Sequence, residues 1–396
     1  MRRIYIALPL VLALAACKLS DGTVPDAGAS SSASAPDAAA ASNDPLAAHD
    51  NAPAPQELAD SEPRALMQAQ VVLDRLGFTP GVVDGKAGLS TRNAVSGFQE
   101  ANNLTVTGQL DEPTKTALQQ WNNIPATRII TIPADFAAGP FLKIPKGPED
   151  QAKMTALGYE SLDEKLAERF HTTVETLKLL NPGGVPAGSP TAAGAAASPT
   201  PTASATPPAA TDAPPVSVFA AGQQVRVPNV GGDAIAAGSV SDSGWQTTLT
   251  MLGVGSEQPK AASIMVSKSK GTLKAFDTAG KLIAVYTATM GSSHDPLPLG
   301  EWKITGVGRN PTFNYNPKLF WDAKAGSEKA TLPAGPNGPV GVVWIDLSKE
   351  HYGIHGTPHP ETIGRAESHG CVRLTNWDVA RLAQMVSTST KVTFTA

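Results

Sequence analysis

Two long stretches of this 396-residue chain consist of side chains that are too small or too polar to build a core. Residues 18–60 and 183–217 are rich in Ala, Ser, Pro, Asp, Gly and Thr and contain almost no large apolar residues. Such segments cannot offset the conformational entropy that is lost when a chain becomes ordered. We therefore expect a disordered tether over 18–60, a low-complexity insert over 183–217, and separate folded domains in the remaining sequence.

The charge balance argues against two classes of partner. A formal net charge of −4 at pH 7 gives no basis for binding nucleic acid or an anionic membrane surface. After the N-terminus, no apolar run reaches the roughly 18 residues that a membrane-spanning helix needs. The sequence therefore predicts no nucleic-acid partner and no ordinary transmembrane segment.

The N-terminus has the pattern of a secretion signal. Residues 2–3 are arginines, and residues 4–16 form a short apolar region. The following LAAC sequence (14–17) resembles a bacterial lipobox, in which the Cys is acylated and becomes the mature N-terminus. This resemblance implies a signal over 1–17, lipidation of Cys17 and a periplasmic, membrane-anchored protein, and Lys18 in place of Asp favours the outer membrane. The alternative is a cleaved secretory signal with an incidental Cys.

Apolar residues at helical spacing predict three helices in residues 61–122. The first ends at Gly77, and its apolar stripe comprises Leu66, Ala69, Val72, Leu73 and Leu76. The text LGFTPGVVDGKAGLSTRNAVSGFQEANNLTVTGQLDEPTKTAL resembles the peptidoglycan-binding domain type 1 family nearly throughout. The resemblance implies a small three-helix domain with peptidoglycan as its partner. The alternative is a helical spacer.

A second resemblance lies in residues 126–230. YESLDEKLAERFHTTVETLKLLNP (159–182) is similar to the two helices of a LysM module, and AGQQVRVP (221–228) is similar to its closing strand. This implies a βααβ module interrupted by the insert 183–217. Doubling the length of a surface loop costs only about 0.6 kcal/mol, so the fold tolerates the insert. Glycan binding by the module stays open.

Residues 261–396 have a different sequence pattern, in which short runs of strand-forming residues are separated by Gly or Asp turns. The predicted strands are 264–266, 272–276, 281–287, 301–307 and 340–347, with 392–394 as a further candidate. One helix is predicted to begin after Thr375, because Thr375 and Asp378 form a capping-box pattern. These residues therefore predict a mainly-β domain that is long enough to have its own core.

The densest cluster of reactive residues lies in this domain. Its members are His355, Gly356, Ser368, His369, Gly370, Cys371 and Arg373. If Cys17 carries lipid, the thiol of Cys371 has no partner for a disulfide, and a free thiol in an oxidising compartment is a liability unless it is buried or used. An imidazole can take the proton of a thiol and activate it for attack on a carbonyl. Backbone amides at the glycines suit an oxyanion, and the guanidinium suits a carboxylate.

The segment YGIHGTPHPETIGRAESHGCVRLTNWD resembles the signature of the YkuD (ErfK/YbiS-type) L,D-transpeptidase catalytic domain, and the likeness runs from about Ile264 to the C-terminus. It implies that Cys371 is the nucleophile and His355 is the general base, oriented by the carbonyl of Gly356. It also implies that His369 and the amides around Gly370 and Cys371 stabilise the oxyanion, that Ser368 shapes the loop and that Arg373 binds a substrate carboxylate. The expected fold is multidomain, with a mainly-β YkuD-type domain after a three-helix domain and a βααβ LysM-like module.

The resemblance implies a reaction without a cofactor. Cys371 would attack the third residue of a peptidoglycan tetrapeptide stem, release D-alanine and form a thioester. A diaminopimelate amine would then give a 3→3 cross-link, a lysine of an envelope protein would give wall attachment, and water would make the protein an L,D-carboxypeptidase. Peptide-bond exchange is nearly isoenergetic, so neither ATP nor a metal is expected.

Two rival interpretations remain open from the sequence. His355, His369 and Cys371 could be three zinc ligands of a wall hydrolase, although no separate general-base carboxylate is evident. The chain could also be a non-catalytic, lipid-anchored tether. Other aromatic residues and histidines are interpreted as core, surface or cleft-wall side chains; they are His171, His294, His351, His359, Trp302, Trp321, Trp344 and Trp377.

Overall fold

The computed structural model describes residues 58–190, 216–231 and 235–396. The predicted signal, the lipidation site at Cys17, the tether as far as residue 57 and most of the insert lie outside the described residues. Within the described ranges, no helix combines the length and the apolar character that crossing a membrane requires.

The described elements alternate between helical and β regions along the chain. The helices are α1 Ala65–Arg75, α2 Leu89–Ala101, α3 Glu112–Leu118, α4 Ala134–Ala137, α5 Pro148–Gln151, α6 Leu162–Arg169, α7 Val174–Leu180, α8 Ser243–Leu252 and α9 Asn376–Met385. The strands are β1 Thr127–Thr131, β2 Gln224–Pro228, β3 Ser263–Ser267, β4 Thr272–Phe276, β5 Leu282–Thr287, β6 Thr289–Met290, β7 Gly300–Arg309, β8 Phe313–Tyr315, β9 Ala330–Leu332, β10 Val343–Leu347, β11 Gly353–His355, β12 Val372–Arg373 and β13 Lys391–Thr395.

The C-terminal part is mainly β and contains a nine-stranded sheet in the order β5-β4-β3-β13-β7-β10-β11-β12-β6. Neighbouring strands are antiparallel except for the pairs β3/β13 and β11/β12, which are parallel. Helices α8 and α9 contribute the fully buried Trp245 and Trp377 to its core. Each predicted strand corresponds to a strand of the structure, whereas α8 was not predicted.

The N-terminal helical domain (α1 to α3) covers one edge of this sheet. The amide of Thr79 donates to the carbonyl of Val285 at 3.0 Å, and the amide of Val285 donates to the carbonyl of Gly77 at 3.0 Å. These bonds satisfy backbone groups of β5 that an uncovered edge would leave unpaired. Gly97 of α2 packs so closely on β5 that an added Cβ would lie 2.6 Å from a methyl carbon of Val285.

The predicted apolar stripe of α1 is only partly right. Val72 and Leu73 are buried as expected, but Leu66 and Ala69 are half-buried, while Met67 and Val71 are buried. The reason is that α1 packs on two sides, since Met67 and Val71 join the core of the following segment and Leu73 joins the core shared with β5.

Residues 126–230 form a separate small sheet with helices against it. Strands β1 and β2 pair antiparallel from Thr127 opposite Pro228 to Thr131 opposite Gln224. Helices α6 and α7 lie between them in sequence and bury Leu166, Phe170 and Leu177 against the sheet.

The predicted end of the tether and the predicted start of the insert both need correction. Residues on both sides supply hydrogen-bond acceptors for the side chain of Arg226 on β2. Arg226 is 3% exposed. Its Nε donates to the carbonyl of Ala187 at 2.9 Å, and its Nη2 donates to the carbonyl of Leu58 at 2.7 Å. The first residues assigned to the insert (183–190) and the last residues assigned to the tether (58–60) are therefore folded parts of this segment.

A buried ionic cluster joins the N-terminal helical domain, the segment 126–230 and the C-terminal β domain. The carboxylate of Asp74 (α1) accepts from both terminal nitrogens of Arg381 (α9), at 3.1 and 3.0 Å, and from Nδ1 of His171 at 3.1 Å. Nε2 of His171 faces the carbonyl of Leu252 at 2.9 Å. Both ring nitrogens of His171 therefore face acceptor oxygens. Its ring stacks on Trp377 with centroids 5.0 Å apart.

We expect Arg381→Met to lower the free energy of unfolding by about 3–5 kcal/mol, because it removes one partner of a buried carboxylate. Urea unfolding followed by circular dichroism measures this change. The matched control is Lys86→Met, which removes an exposed ion pair between Lys86 and Glu175 (3.2 Å). That change should stay within about 1 kcal/mol. Equal effects of the two substitutions would contradict the assigned importance of the buried cluster.

Candidate active site

The parallel pairing of β11 and β12 brings the predicted nucleophile and base to one face of the sheet. In the register, Ile354 lies opposite Val372 and His355 lies opposite Arg373. Ile354 and Val372 are fully buried in the core. Since side chains alternate along strands, His355, Cys371 and Arg373 face the other side. There they line one cavity of about 840 Å³.

His355 is held as a neutral imidazole. Its Nδ1 donates to the carbonyl oxygen of Gly356 at 2.7 Å, which leaves Nε2 without a proton and able to act as a base. Burial, together with the positive charge of Arg373, lowers the pKa of His355 to about 4, although the bond to Gly356 opposes this shift. The indole of Trp344 stacks on the imidazole with centroids 5.5 Å apart and fixes its plane.

Cys371 is held as a thiol. Burial raises its pKa to about 11, and the negative charge of Asp295 adds to this, whereas the Gly353 amide and Arg373 oppose it. The sulfur lies 3.7 Å from the carbonyl oxygen of His351, to which the thiol donates. Both groups are therefore neutral at rest, and the thiol has not passed its proton to the imidazole.

Ser368 and Gly370 set the shape of the loop that carries Cys371. Oγ of Ser368 donates to the carbonyl of Cys371 at 2.6 Å and accepts from the amide of Gly291 at 2.6 Å. Gly370 has φ +93°, and an added Cβ would lie 2.5 Å from the ring of Tyr352. Only glycine therefore fits the position before the nucleophile.

His369 lines the same cavity but points to a different partner. Its Nε2 donates to Oδ1 of Asp322 at 2.9 Å, and Phe320 and Trp321 pack against its ring. The predicted oxyanion role would require this nitrogen to leave Asp322. No group of three or more His, Cys, Asp or Glu side chains in the described ranges is arranged to hold a metal ion, so the rival zinc set of His355, His369 and Cys371 does not converge.

Arg373 also lines the cavity, beside His355. Its Nη2 donates to the carbonyl of Glu367 at 2.8 Å, which ties its guanidinium to the loop that precedes the nucleophile. This bond holds a positive charge at the wall of the cavity, where the sequence predicts binding of a carboxylate.

Asn376, at the start of α9, packs behind the His355–Gly356 pair. Its Nδ2 donates to Oε1 of Glu168 at 2.7 Å and to the carbonyl of Pro336 at 3.1 Å. An added Cβ at Gly356 would overlap Oδ1 of Asn376, so the amide supports the backbone that orients His355. Glu168 belongs to α6, and the segment 126–230 therefore buttresses the site from outside the β domain.

Several residues of the site were not predicted from the sequence. They are Tyr352, Asp295, Asp322 and Asn376, together with Lys146, Pro148 and Gln151, which line the cavity from the segment 126–230. Tyr352 lies directly before the strand that holds His355, and Asn376 lies in the helix predicted after Thr375, so both carried a local signal. The others lie far away in sequence, and that distance gives no information about contact.

Comparisons with known families agree with this arrangement of domains. Residues 261–394 match the YkuD family model, described as "L,D-transpeptidase catalytic domain". Residues 64–118 match the PG_binding_1 model, described as "Putative peptidoglycan binding domain". These matches confirm the resemblances to the YkuD and the peptidoglycan-binding type 1 families over those residues. The LysM-like module and the lipobox stay predictions.

Three curated relatives match parts of the chain. "Putative L,D-transpeptidase YkuD" of Bacillus licheniformis is 36% identical over 132 residues, which are 33% of this chain and 64% of that protein. The Bacillus subtilis protein of the same name is 55% identical over 58 residues, or 15% of this chain and 35% of that protein. "Probable L,D-transpeptidase YbiS" of Escherichia coli is 30% identical over 135 residues, or 33% of this chain and 44% of that protein. The chain thus spans less than two thirds of the length of each relative.

The raised pKa of Cys371 predicts how its alkylation depends on pH. Because the thiol stays protonated below about pH 11, the rate with iodoacetamide should rise about tenfold per pH unit from pH 7 to 10, as the thiolate fraction grows. Mass spectrometry of the peptide that carries Cys371 measures the rate. A plateau between pH 6 and 8 would instead reveal a preformed thiolate-imidazolium pair and contradict the neutral resting state.

The buried Glu168 predicts a second pH effect, on stability. Burial raises its pKa to about 7, above its value in an unfolded chain, so the stabilisation is complete below about pH 4.5 and is lost as the pH rises to 7. Relative to Glu168→Gln, the unmodified protein should lose about 2–3 kcal/mol between pH 5 and 8. Unfolding midpoints in urea measure this difference. Glu175→Gln is the control, since that side chain is 73% exposed, and parallel curves for all three proteins would contradict the assignment.

Proposed function

We propose that the protein is an L,D-transpeptidase that acts on tetrapeptide stems of peptidoglycan through a thioester on Cys371. One observation carries this proposal. A thiol and a neutral imidazole, whose Nδ1 is anchored at Gly356, line the same cavity on adjacent parallel strands. The family match over residues 261–394 supports the same conclusion.

The first half-reaction needs a base that is neutral at rest. Nε2 of His355 takes the thiol proton while the sulfur attacks the carbonyl carbon of the third stem residue. Amides of the tight turn at Gly370 and Cys371 stabilise the oxyanion. His355 then gives the proton to the amine of the leaving D-alanine, and a thioester remains. The lowered pKa of His355 makes its cation a strong acid for this protonation.

The second half-reaction transfers the acyl group to an acceptor. A diaminopimelate amine of another stem would give a 3→3 cross-link, and a lysine of an envelope protein would give a protein attached to the wall. The amide bond that is broken and the amide bond that is formed have nearly the same free energy. Positioning and oxyanion stabilisation are therefore sufficient without a cofactor.

The accessory segments would place this chemistry at the wall. The N-terminal helical domain, matched over residues 64–118, is proposed to bind peptidoglycan. The paired strands β1 and β2 with α6 and α7 packed against them support a LysM-like fold, with the short helices α4 and α5 as additions. The bond of α6 to Asn376 favours a supporting role beside the site. A lipid anchor at Cys17 would hold the protein in the periplasm at the outer membrane.

The mature protein should form a covalent adduct on Cys371 when it is incubated with a disaccharide-tetrapeptide, with release of D-alanine. Intact mass and a D-alanine assay measure both products. Cys371→Ala should abolish both, and His355→Ala should lower the acylation rate by about 10²–10⁴-fold, as expected for loss of a general base.

His359→Ala is the matched control, because its side chain is 69% exposed and pairs with Glu361. It should react like the unmodified protein. Release of D-alanine that survives Cys371→Ser would refute the thioester mechanism, and loss of release on adding EDTA would favour the zinc hydrolase instead.

A further inference from the structure

Asp295 lies in a turn that is fastened to the loop of the nucleophile. The amide of Ser292 donates to the carbonyl of Asp295 at 2.9 Å, and the amide of Asp295 donates to Oγ of Ser292 at 2.9 Å. Directly before this turn, the amide of Gly291 donates to Oγ of Ser368, and the amide of Ser368 donates back to the carbonyl of Gly291 at 3.3 Å. These bonds fix the position of Asp295 relative to Cys371.

One oxygen of the Asp295 carboxylate accepts no hydrogen bond from the described residues. Its Oδ2 is buried and has no hydrogen-bond partner among the described residues, and the side chain lines the same cavity as Cys371. Two basic side chains, Lys146 and Arg373, also line this cavity, and neither forms an ion pair with Asp295 in the described structure. Leaving a buried carboxylate oxygen unpaired is costly, so the site suits a cation supplied from outside the chain.

Asp295 also interacts electrostatically with the reacting sulfur, which lines the same cavity. Its negative charge contributes to the raised pKa of the Cys371 thiol and to the raised pKa of the Tyr352 phenol. The ring of Tyr352 in turn lies against Gly370, next to the nucleophile. Asp295, Tyr352 and Cys371 therefore line one cavity and influence one another's charge.

We propose that Asp295 binds the ammonium group of the acceptor amine and thereby selects a cationic primary amine over water. This inference rests on the proposed transpeptidase function and names the class of acceptor for it. The nitrogen that attacks the thioester must come within about 3–3.5 Å of a carbon that is bonded to the Cys371 sulfur. A carboxylate fixed beside that sulfur is therefore placed to hold the attacking nitrogen.

The step balances as follows. A C–N bond forms between the acceptor and the acyl carbon, and the C–S bond to Cys371 breaks. The ammonium loses two protons over the step, of which one restores the thiol through His355 and the other goes to solvent. Asp295 forms no covalent bond and takes up no proton overall.

The test measures the ratio of cross-linked product to hydroxamate that the acyl-enzyme forms in Asp295→Asn. The donor is a disaccharide-tetrapeptide, and the cationic acceptor is the diaminopimelate amine of a second molecule of it. Hydroxylamine, which is uncharged at neutral pH, serves as a nucleophile of similar size to the reacting group. Asp295→Asn is isosteric, and a melting curve checks that it folds.

We expect Asp295→Asn to form the thioester no more slowly than the unmodified protein, because losing the negative charge eases loss of the Cys371 proton. We also expect it to lower cross-linking about tenfold or more, as the loss of a charged hydrogen bond predicts. Reaction with hydroxylamine should stay within about twofold. Glu350→Gln is the matched control, because Glu350 lines the same cavity but is 88% exposed and pairs with His351. Its division between acceptors should equal that of the unmodified protein.

Two results would overturn the inference. One is an unchanged ratio of cross-link to hydroxamate in Asp295→Asn. The other is slower thioester formation with an unchanged ratio, which would assign Asp295 to the donor. If the unmodified protein forms no thioester on Cys371 at all, the proposed function fails first, and this outcome is seen directly by intact mass.

Discussion

The carboxylate of Asp74 is the constraint on which the arrangement of the three folded segments depends. A fully buried carboxylate requires partners, and Arg381 and His171 supply them from two other parts of the chain. Arg381 lies on α9, whose first residue Asn376 packs behind the Gly356 carbonyl that orients His355. The helix that supports the imidazole of His355 is therefore held by Glu168 at its first residue and by Asp74 near its middle.

The resting charge states of the site follow from the same burial. A cavity wall that excludes water disfavours the imidazolium of His355 and the thiolate of Cys371 alike. Two neutral partners avoid premature oxidation of a reactive thiolate, and they leave the transfer of the proton to the moment of attack. Asp295 adds to this effect, because its negative charge opposes formation of the thiolate nearby.

Local sequence predicted the YkuD-type domain and most of the large strands, because the motif around Cys371 and the alternation of strand residues are local properties. Helix α8 was missed although Asp242 caps it and Trp245, Leu249 and Leu252 follow at helical spacing. In contrast, no local pattern distinguishes Asp74 or Glu168 from a surface carboxylate. Their burial is decided by partners on distant segments, and the same long-range packing explains the errors at the stripe of α1 and at both segment boundaries.

The pairing of Thr79 and Gly77 with Val285 extends the backbone hydrogen bonding of the nine-stranded sheet into the helical domain. The distance from that domain to the cavity with Cys371 is therefore set by the sheet itself and not by a linker. Under the proposed function, a glycan strand bound by the helical domain would present its stems to the thiol at one fixed distance.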